Sequence, residues 1–138
     1  MKPLFPVLSL LMLPTMACAH TDSASSATLP DLPAGSNTVL VAPIESAPGS
    51  EVIISDVVIP PGAQVPRHYH PGEEFVYVIE GSAIHVQEGQ DDIELRAGDA
   101  YRIPPRAVHA PYAGPDGARA VVFRVHVEGQ PERIPVPE

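Results

Sequence analysis

The sequence predicts an all-β fold, a sandwich or barrel of short strands. Two observations carry that expectation. Runs of β-branched and aromatic residues recur at close spacing, each ended by proline or glycine. No window of a dozen residues repeats its apolar positions at the helical period. The composition agrees, with 18 prolines, 10 glycines and no tryptophan in 138 residues, as expected of many tight turns. That length suits one domain.

Taken in order, a first strand is expected over 38–42, ended by Pro43, and a second over 52–59, between Gly49 and Pro60. Further strands are expected over 65–70, 74–80, 83–87, 93–96, 100–103, 108–112 and 118–127. Turns at Pro71-Gly72, Gly81-Ser82, Gly89-Gln90, Ala97-Gly98, Pro104-Pro105 and Gly114-Pro115 separate them. The Pro-rich stretch 128–138 is read as a surface tail.

The first 19 residues read as an export signal. Lys2 precedes an apolar run over 4–16, and Ala17-Cys18-Ala19 fits the small-x-small rule for cleavage before His20. The run is too short, and too interrupted by Pro6 and Pro14, to span a bilayer as a helix. Cys18 is the only cysteine, so no internal disulfide can form. It also opens a second processing route, in which Cys18 is lipidated and anchors the chain. Soluble export and lipid anchoring both remain open. Residues 20–37, rich in Ser, Ala, Thr, Asp and Pro, read as a flexible linker. The expected organisation is therefore signal 1–19, linker 20–37, barrel 38–127 and tail 128–138.

The formal charge is −9, and Lys2 is the only lysine. That balance argues against nucleic acid and anionic membrane surfaces as partners. A small-molecule ligand is the expected partner.

Among six histidines, His68 and His70 stand two apart on an expected strand. Alternation sends both side chains to one face and Tyr69 to the other. After the Pro71-Gly72 turn, Glu74 can return a carboxylate to the same place, while Glu73 points the opposite way. His109, from a distant strand, can close the set. Imidazole with carboxylate suits one divalent transition metal such as Fe, Mn, Ni, Cu, Co or Zn. The absence of thiolate argues against a closed structural zinc site. The rival reading makes each histidine a hydrogen-bonded core or surface group and Glu74 an exposed acid.

Gly62, His68, His70, Glu74 and Gly81 fall at the spacing of the first motif of the cupin family, which this stretch resembles at every fixed position. Gly98, Pro104 and His109 resemble the second motif, with Arg106 in place of its glycine and Ala113 in place of its asparagine. The resemblance covers 38–127. It implies a jelly-roll β-barrel of a single domain, a metal held by His68, His70, Glu74 and His109, and a homodimer paired through sheet edges. Cupins carry out many reactions, so the fold does not choose among them.

In the family, the face bearing Ala83 usually points into the barrel. That would put His85 and Gln87 in the cavity as candidates for substrate contact or proton transfer, with Tyr101 beside them. The alternative is a solvent-facing His85 with Ile84 and Val86 packed inward. Val76 and Val78 should line an apolar pocket, with Ile103 and Phe123 as further lining candidates. Phe75 and Tyr77 should face the other side. Arg67, Arg102 and Arg124 are candidates for a substrate carboxylate or for pairs with acids. His126 reads as a surface or strand polar residue. Two functions are compatible with these residues. One is a metalloenzyme acting on a small organic molecule, with dioxygenase-like chemistry leading over isomerase or lyase chemistry. The other is a non-catalytic metal- or sugar-binding module.

Overall fold

The computed structural model describes residues 29–137. The expected signal 1–19 with Cys18, and the linker up to residue 28 with His20, lie outside the described residues. Every regular element among the described residues is a strand. In chain order these are β1 (Gly35–Pro43), β2 (Ser50–Ile59), β3 (His68–Tyr69), β4 (Glu74–His85), β5 (Ile93–Arg96), β6 (Ala100–Ile103), β7 (Tyr112–Val127) and β8 (Ile134–Pro135).

One sheet runs β1-β2-β7-β4-β5, with β6 also paired to β4, and β3 pairs separately with β8. All these pairs are antiparallel. Alternation sorts each strand into an inner and an outer face. Ile53 and Ser55 of β2, Glu74 and Val78 of β4, and Ala118, Val122 and Arg124 of β7 are buried. On the outer face, Leu40, Ile54, Phe123 and Phe75 form one register row across four strands. Phe123 was expected to line the pocket. It lies instead on this outer row, 40% exposed, because the inward phase of β7 belongs to Val122 and Arg124.

Several boundaries differ from the expectation. β1 begins at Gly35 rather than residue 38. β3 is confined to His68–Tyr69, because Pro66 and Pro71 supply no amide hydrogen on either side. Residues 108–111 do not form a regular strand. They make isolated bridges to β3 and to Gln87, and Pro111 interrupts the ladder. Gly81-Ser82 is not a turn, because β4 runs through it with Gly81 at φ 67°. There the partner on β7 jumps from Ala118 to Ala113 while β4 advances only from Gly81 to Ala83. This bulge bends β4, so that its first half pairs with β6 and its second half with β5. β7 likewise continues through Gly114-Pro115. The tail is not merely a surface cover, since β8 docks on β3. His126 is buried, and its Nε2 donates to Gln130 O.

Candidate metal centre

Three imidazoles meet inside the barrel. His68 stands on β3, His70 follows it, and His109 comes from the connection between β6 and β7, where its backbone exchanges two hydrogen bonds with that of His68. The ring centroids of His68 and His109 are 4.2 Å apart, those of His68 and His70 4.9 Å, and those of His70 and His109 5.5 Å. One ring nitrogen of each lies within 4.8 Å of the other two, and all three residues are buried.

Their orientation is fixed from outside. His68 Nδ1 donates to Pro66 O at 2.7 Å, His109 Nδ1 to Ala107 O at 2.9 Å, and His70 Nδ1 to Glu132 O. A carbonyl oxygen only accepts, so each Nδ1 carries the proton and each Nε2 keeps its lone pair. His70 Nε2 is buried with no hydrogen-bond partner, although Glu74 Oε2 lies 3.2 Å away. An unpartnered buried nitrogen with a free lone pair is what a ligand position looks like without its ion. The residues therefore fit a metal, and a donor set of imidazoles beside a carboxylate suits a borderline transition metal.

Residues 55–128 match the family model of the cupin domain, more than half of the chain. The chain belongs to the cupin family.

This cupin is similar to dimethylsulfoniopropionate lyase DddW of Ruegeria pomeroyi, at 39% identity over 75 residues covering 54% of this chain and 48% of the lyase. It is also similar to 3-hydroxyanthranilate 3,4-dioxygenase of Xanthomonas oryzae pv. oryzae, at 33% identity over 70 residues covering 49% of this chain and 40% of that enzyme. The matched part thus spans half or less of each relative. Among solved structures, a cupin-like protein of Thermotoga maritima superposes with a TM-score of 0.56 at 28% identity, covering 63% of this chain and 65% of that one. The dimethylsulfoniopropionate lyase DddQ of Ruegeria pomeroyi superposes with a TM-score of 0.54 at 23% identity over 67% of this chain and 47% of that one, a likeness of fold. The cupin architecture is thus a jelly-roll barrel.

Glu74, the first residue of β4, stands beside the triad, with Oε1 3.9 Å from His109 Nε2. Glu73 points outward and pairs with Arg102 at 3.0 Å. Burial pushes the Glu74 carboxyl up, but the Arg124 charge, the neighbouring His70 and His109 rings and the Arg124 hydrogen bond outweigh it and hold the carboxyl below its ordinary range. His68 is pushed down to about 3, first by burial and then by His109. Burial also lowers His70. At neutral pH both of these imidazoles are neutral and able to bind a cation.

Each of the three candidate arginines has an acidic partner. Arg67 faces Glu88 at 3.6 Å, and Arg102 holds Glu73. Arg124 is buried and donates from Nε to Glu74 Oε2 at 2.6 Å, and from Nη1 to Glu132 Oε1 at 2.8 Å and Ser55 Oγ at 3.3 Å.

Next to the triad is a cavity of about 100 Å³ with walls from Val57, Val76, Val78, Leu95 and Ile103. His85 lines it and is buried, so the Ala83 face of β4 points inward and not to solvent. His85 Nε2 donates to Gln87 Oε1 at 3.2 Å, and burial lowers its pKa. Gln87 lies outside this cavity, in a groove with Arg67 and Val86. Tyr101 meets the His85 ring at a tilt of 50° with centroids 4.8 Å apart, and its hydroxyl accepts from Gln90. Of the three residues expected to act on substrate, His85 alone lines the cavity, and Gln87 and Tyr101 hold it from behind.

Sequence reasoning missed Ser55, Glu132 and the carbonyls that orient the imidazoles. Ser55 carried a signal, as a polar residue in the inward phase between Ile53 and Val57. Glu132, in a tail without periodicity, carried none.

Proposed function

We propose that this cupin is a metal-dependent enzyme acting on a small organic molecule, with His68, His70, Glu74 and His109 holding one divalent transition metal. The single observation that carries the reading is the set of three imidazoles with Nδ1 engaged by carbonyls, which leaves three Nε2 lone pairs beside an apolar cavity. A bound metal supplies Lewis acidity there, or redox capacity if it is iron, manganese or copper. Glu74 contributes a carboxylate whose charge is maintained by Arg124.

The chain's own residues favour proton transfer as the reaction class. With Nε2–H given to Gln87, His85 keeps a basic Nδ1, and as a neutral imidazole lining the cavity it can accept a proton from a substrate. That suits a lyase or isomerase, and the 39% likeness to a lyase agrees with it. The dioxygenase reading expected from the sequence draws its support from the 33% relative. The cavity also limits the substrate. Its one arginine already holds Glu74 and Glu132, so the walls suit a molecule with one metal-binding head and an apolar body. That apolar lining equally favours a second reading, a non-catalytic binding module.

We place this chain outside the cytoplasm on the strength of Lys2, the apolar run 4–16 and Ala17-Cys18-Ala19. The mass of the mature chain, with or without lipid on Cys18, tests that placement. Homodimer formation draws support from the exposed row Leu40, Phe123 and Phe75 and from the position of β1 at the sheet edge. Light scattering reads it directly.

The metal reading is tested by plasma spectroscopy of the purified chain and of its His68→Ala and His109→Ala variants. One ion per chain, lost in both variants, is the expected result. Stoichiometry that both substitutions leave intact overturns the site.

A further inference from the structure

The C-terminal segment 130–136 makes polar contacts that converge on the outer side of the triad. Glu132 gives its backbone carbonyl to His70 Nδ1–H and its carboxylate to Arg124. Arg133 Nη2 donates at 2.8 Å to Pro66 O, the same carbonyl that accepts His68 Nδ1–H. Ile134 and Pro135 pair with Tyr69 and His68, and Val136 N donates to Arg67 O at 3.0 Å. Gln130 O accepts a hydrogen bond from His126 Nε2. His109 has no contact with this segment in its orienting bond, because its Nδ1 is held by Ala107 within its own turn.

We propose that residues 130–136 form a strap that positions two of the three imidazoles, so that metal affinity depends on docking of this segment against β3. The physical reason is the role of the outer partner of a ligating histidine. It selects the tautomer, aims the ring and raises its basicity, and its loss commonly weakens metal binding about 10–100-fold. In this cupin that partner, for His70, belongs to a segment outside the main sheet. The pair β3–β8 that secures it is only two residues long on each strand, and its neighbouring contacts are single hydrogen bonds. Such an element opens at lower free energy than the large sheet. Glu132 extends the strap's reach to the second charged group of the site by sharing Arg124 with Glu74. When the strap undocks, His70 becomes free to rotate and Arg124 loses one of its two carboxylates, while His109 keeps its orientation. Arg133 and Glu132 are thus positioning residues, acting through His68, His70 and Arg124.

The inference rests on the metal reading above, and its test separates the two. Zinc affinity is measured by competition with a chromogenic chelator for the full chain and for Arg133→Ala and Val136→Pro, each of which removes one strap contact and no ligand. Both variants should bind zinc about 10–100-fold more weakly. In ¹⁵N spectra of the zinc-free variants the Nδ1–H signal of His70 should broaden or vanish while that of His109 persists. Linkage gives a second measurement that needs no variant. If docking favours the metal, the metal favours docking by the same factor, so zinc should slow exchange of the Val136 amide in the unmodified chain. Zinc bound normally, with affinity unchanged in both variants and no slowing at Val136, overturns the strap and leaves the metal site standing. Loss of all three imidazole signals together also overturns it, because the tail is then part of the common core. Failure of the unmodified chain to bind zinc or any other divalent transition metal overturns both.

Discussion

Arg124 Nε lies 2.6 Å from Glu74 Oε2, and the two residues stand directly opposite each other on β7 and β4. Both are buried, so the charge of Glu74 depends on Arg124. Removing one partner of a buried pair leaves the other uncompensated, at a cost of about 3–5 kcal/mol. Arg124→Leu should therefore strongly destabilise the metal-free protein. A bound dication replaces the missing positive charge, so the loss should be markedly smaller with zinc present. Urea unfolding with chelator and with zinc checks this. Equal losses in the two conditions would mean that Glu74 does not face the ion.

Acid should unfold the metal-free protein from an unusually high pH. In the unfolded chain each imidazole titrates near 6.5. In the folded chain burial and His109 hold His68 at about 3, and burial also lowers His70. Below pH 6.5 the unfolded state takes up protons that the folded state refuses. The stability contribution of these groups is complete above pH 6.5 and is lost as pH falls below it, for His68 down to about 3. The slope approaches about 1.4 kcal/mol per pH unit for each such imidazole. Glu74, held below its ordinary range, adds loss in the same direction below about 4.5. Urea midpoints that stay constant between pH 7 and 5 would contradict the buried, neutral state of these rings.

Two of the clustered imidazoles and Glu74 were legible because their spacing is local, whereas His109 was fixed only through the resemblance to the family's second motif. His68 and His70 obey strand alternation, and Glu74 follows one turn later. Arg124 was half legible. As a charged residue in the inward phase of an apolar strand it needed a buried partner, but nothing in the sequence said that the partner was Glu74. The strap was not legible, because the bond from His70 to Glu132 O joins residues 62 positions apart through a backbone atom, which leaves no trace in residue type. Gly81-Ser82 misled for another reason. A glycine at positive φ serves a turn and a bulge equally well, and only the pairing of β7 opposite decides which.

Gly72 should tolerate no side chain. A Cβ there would fall 1.6 Å from Val125 O, a backbone atom fixed in the ladder of β7 with β2. Accommodation requires the corner between His70 and Glu74 to move. Gly72→Ala should lose stability at or beyond the upper end of the roughly 1–3 kcal/mol typical of overpacking, and should weaken zinc binding because two groups of the site flank the displaced corner. Unfolding curves and chelator competition measure the two effects. A variant with normal stability and normal zinc affinity would show that the approach of β7 is not as close as 1.6 Å implies.

The cavity should read the tail of a ligand by its hydrophobicity. Alkyl hydroxamates of increasing length, bound to the zinc-loaded protein, place a metal-binding head at the triad and the chain among Val57, Val76, Val78 and Leu95. Each buried methylene contributes about 0.8 kcal/mol, or roughly fourfold in affinity, until the space of about 100 Å³ is filled. Ala120 lines the same cavity from β7 and touches no ligand position, so Ala120→Leu should abolish the gain with length while leaving zinc stoichiometry unchanged. A hydroxamate whose tail ends in a carboxylate should bind far more weakly than its methyl-ended counterpart, because the only arginine on the cavity wall already holds Glu74 and Glu132. Should the charged tail bind as well as the apolar one, Arg124 is available to substrate and the restriction to apolar bodies is wrong.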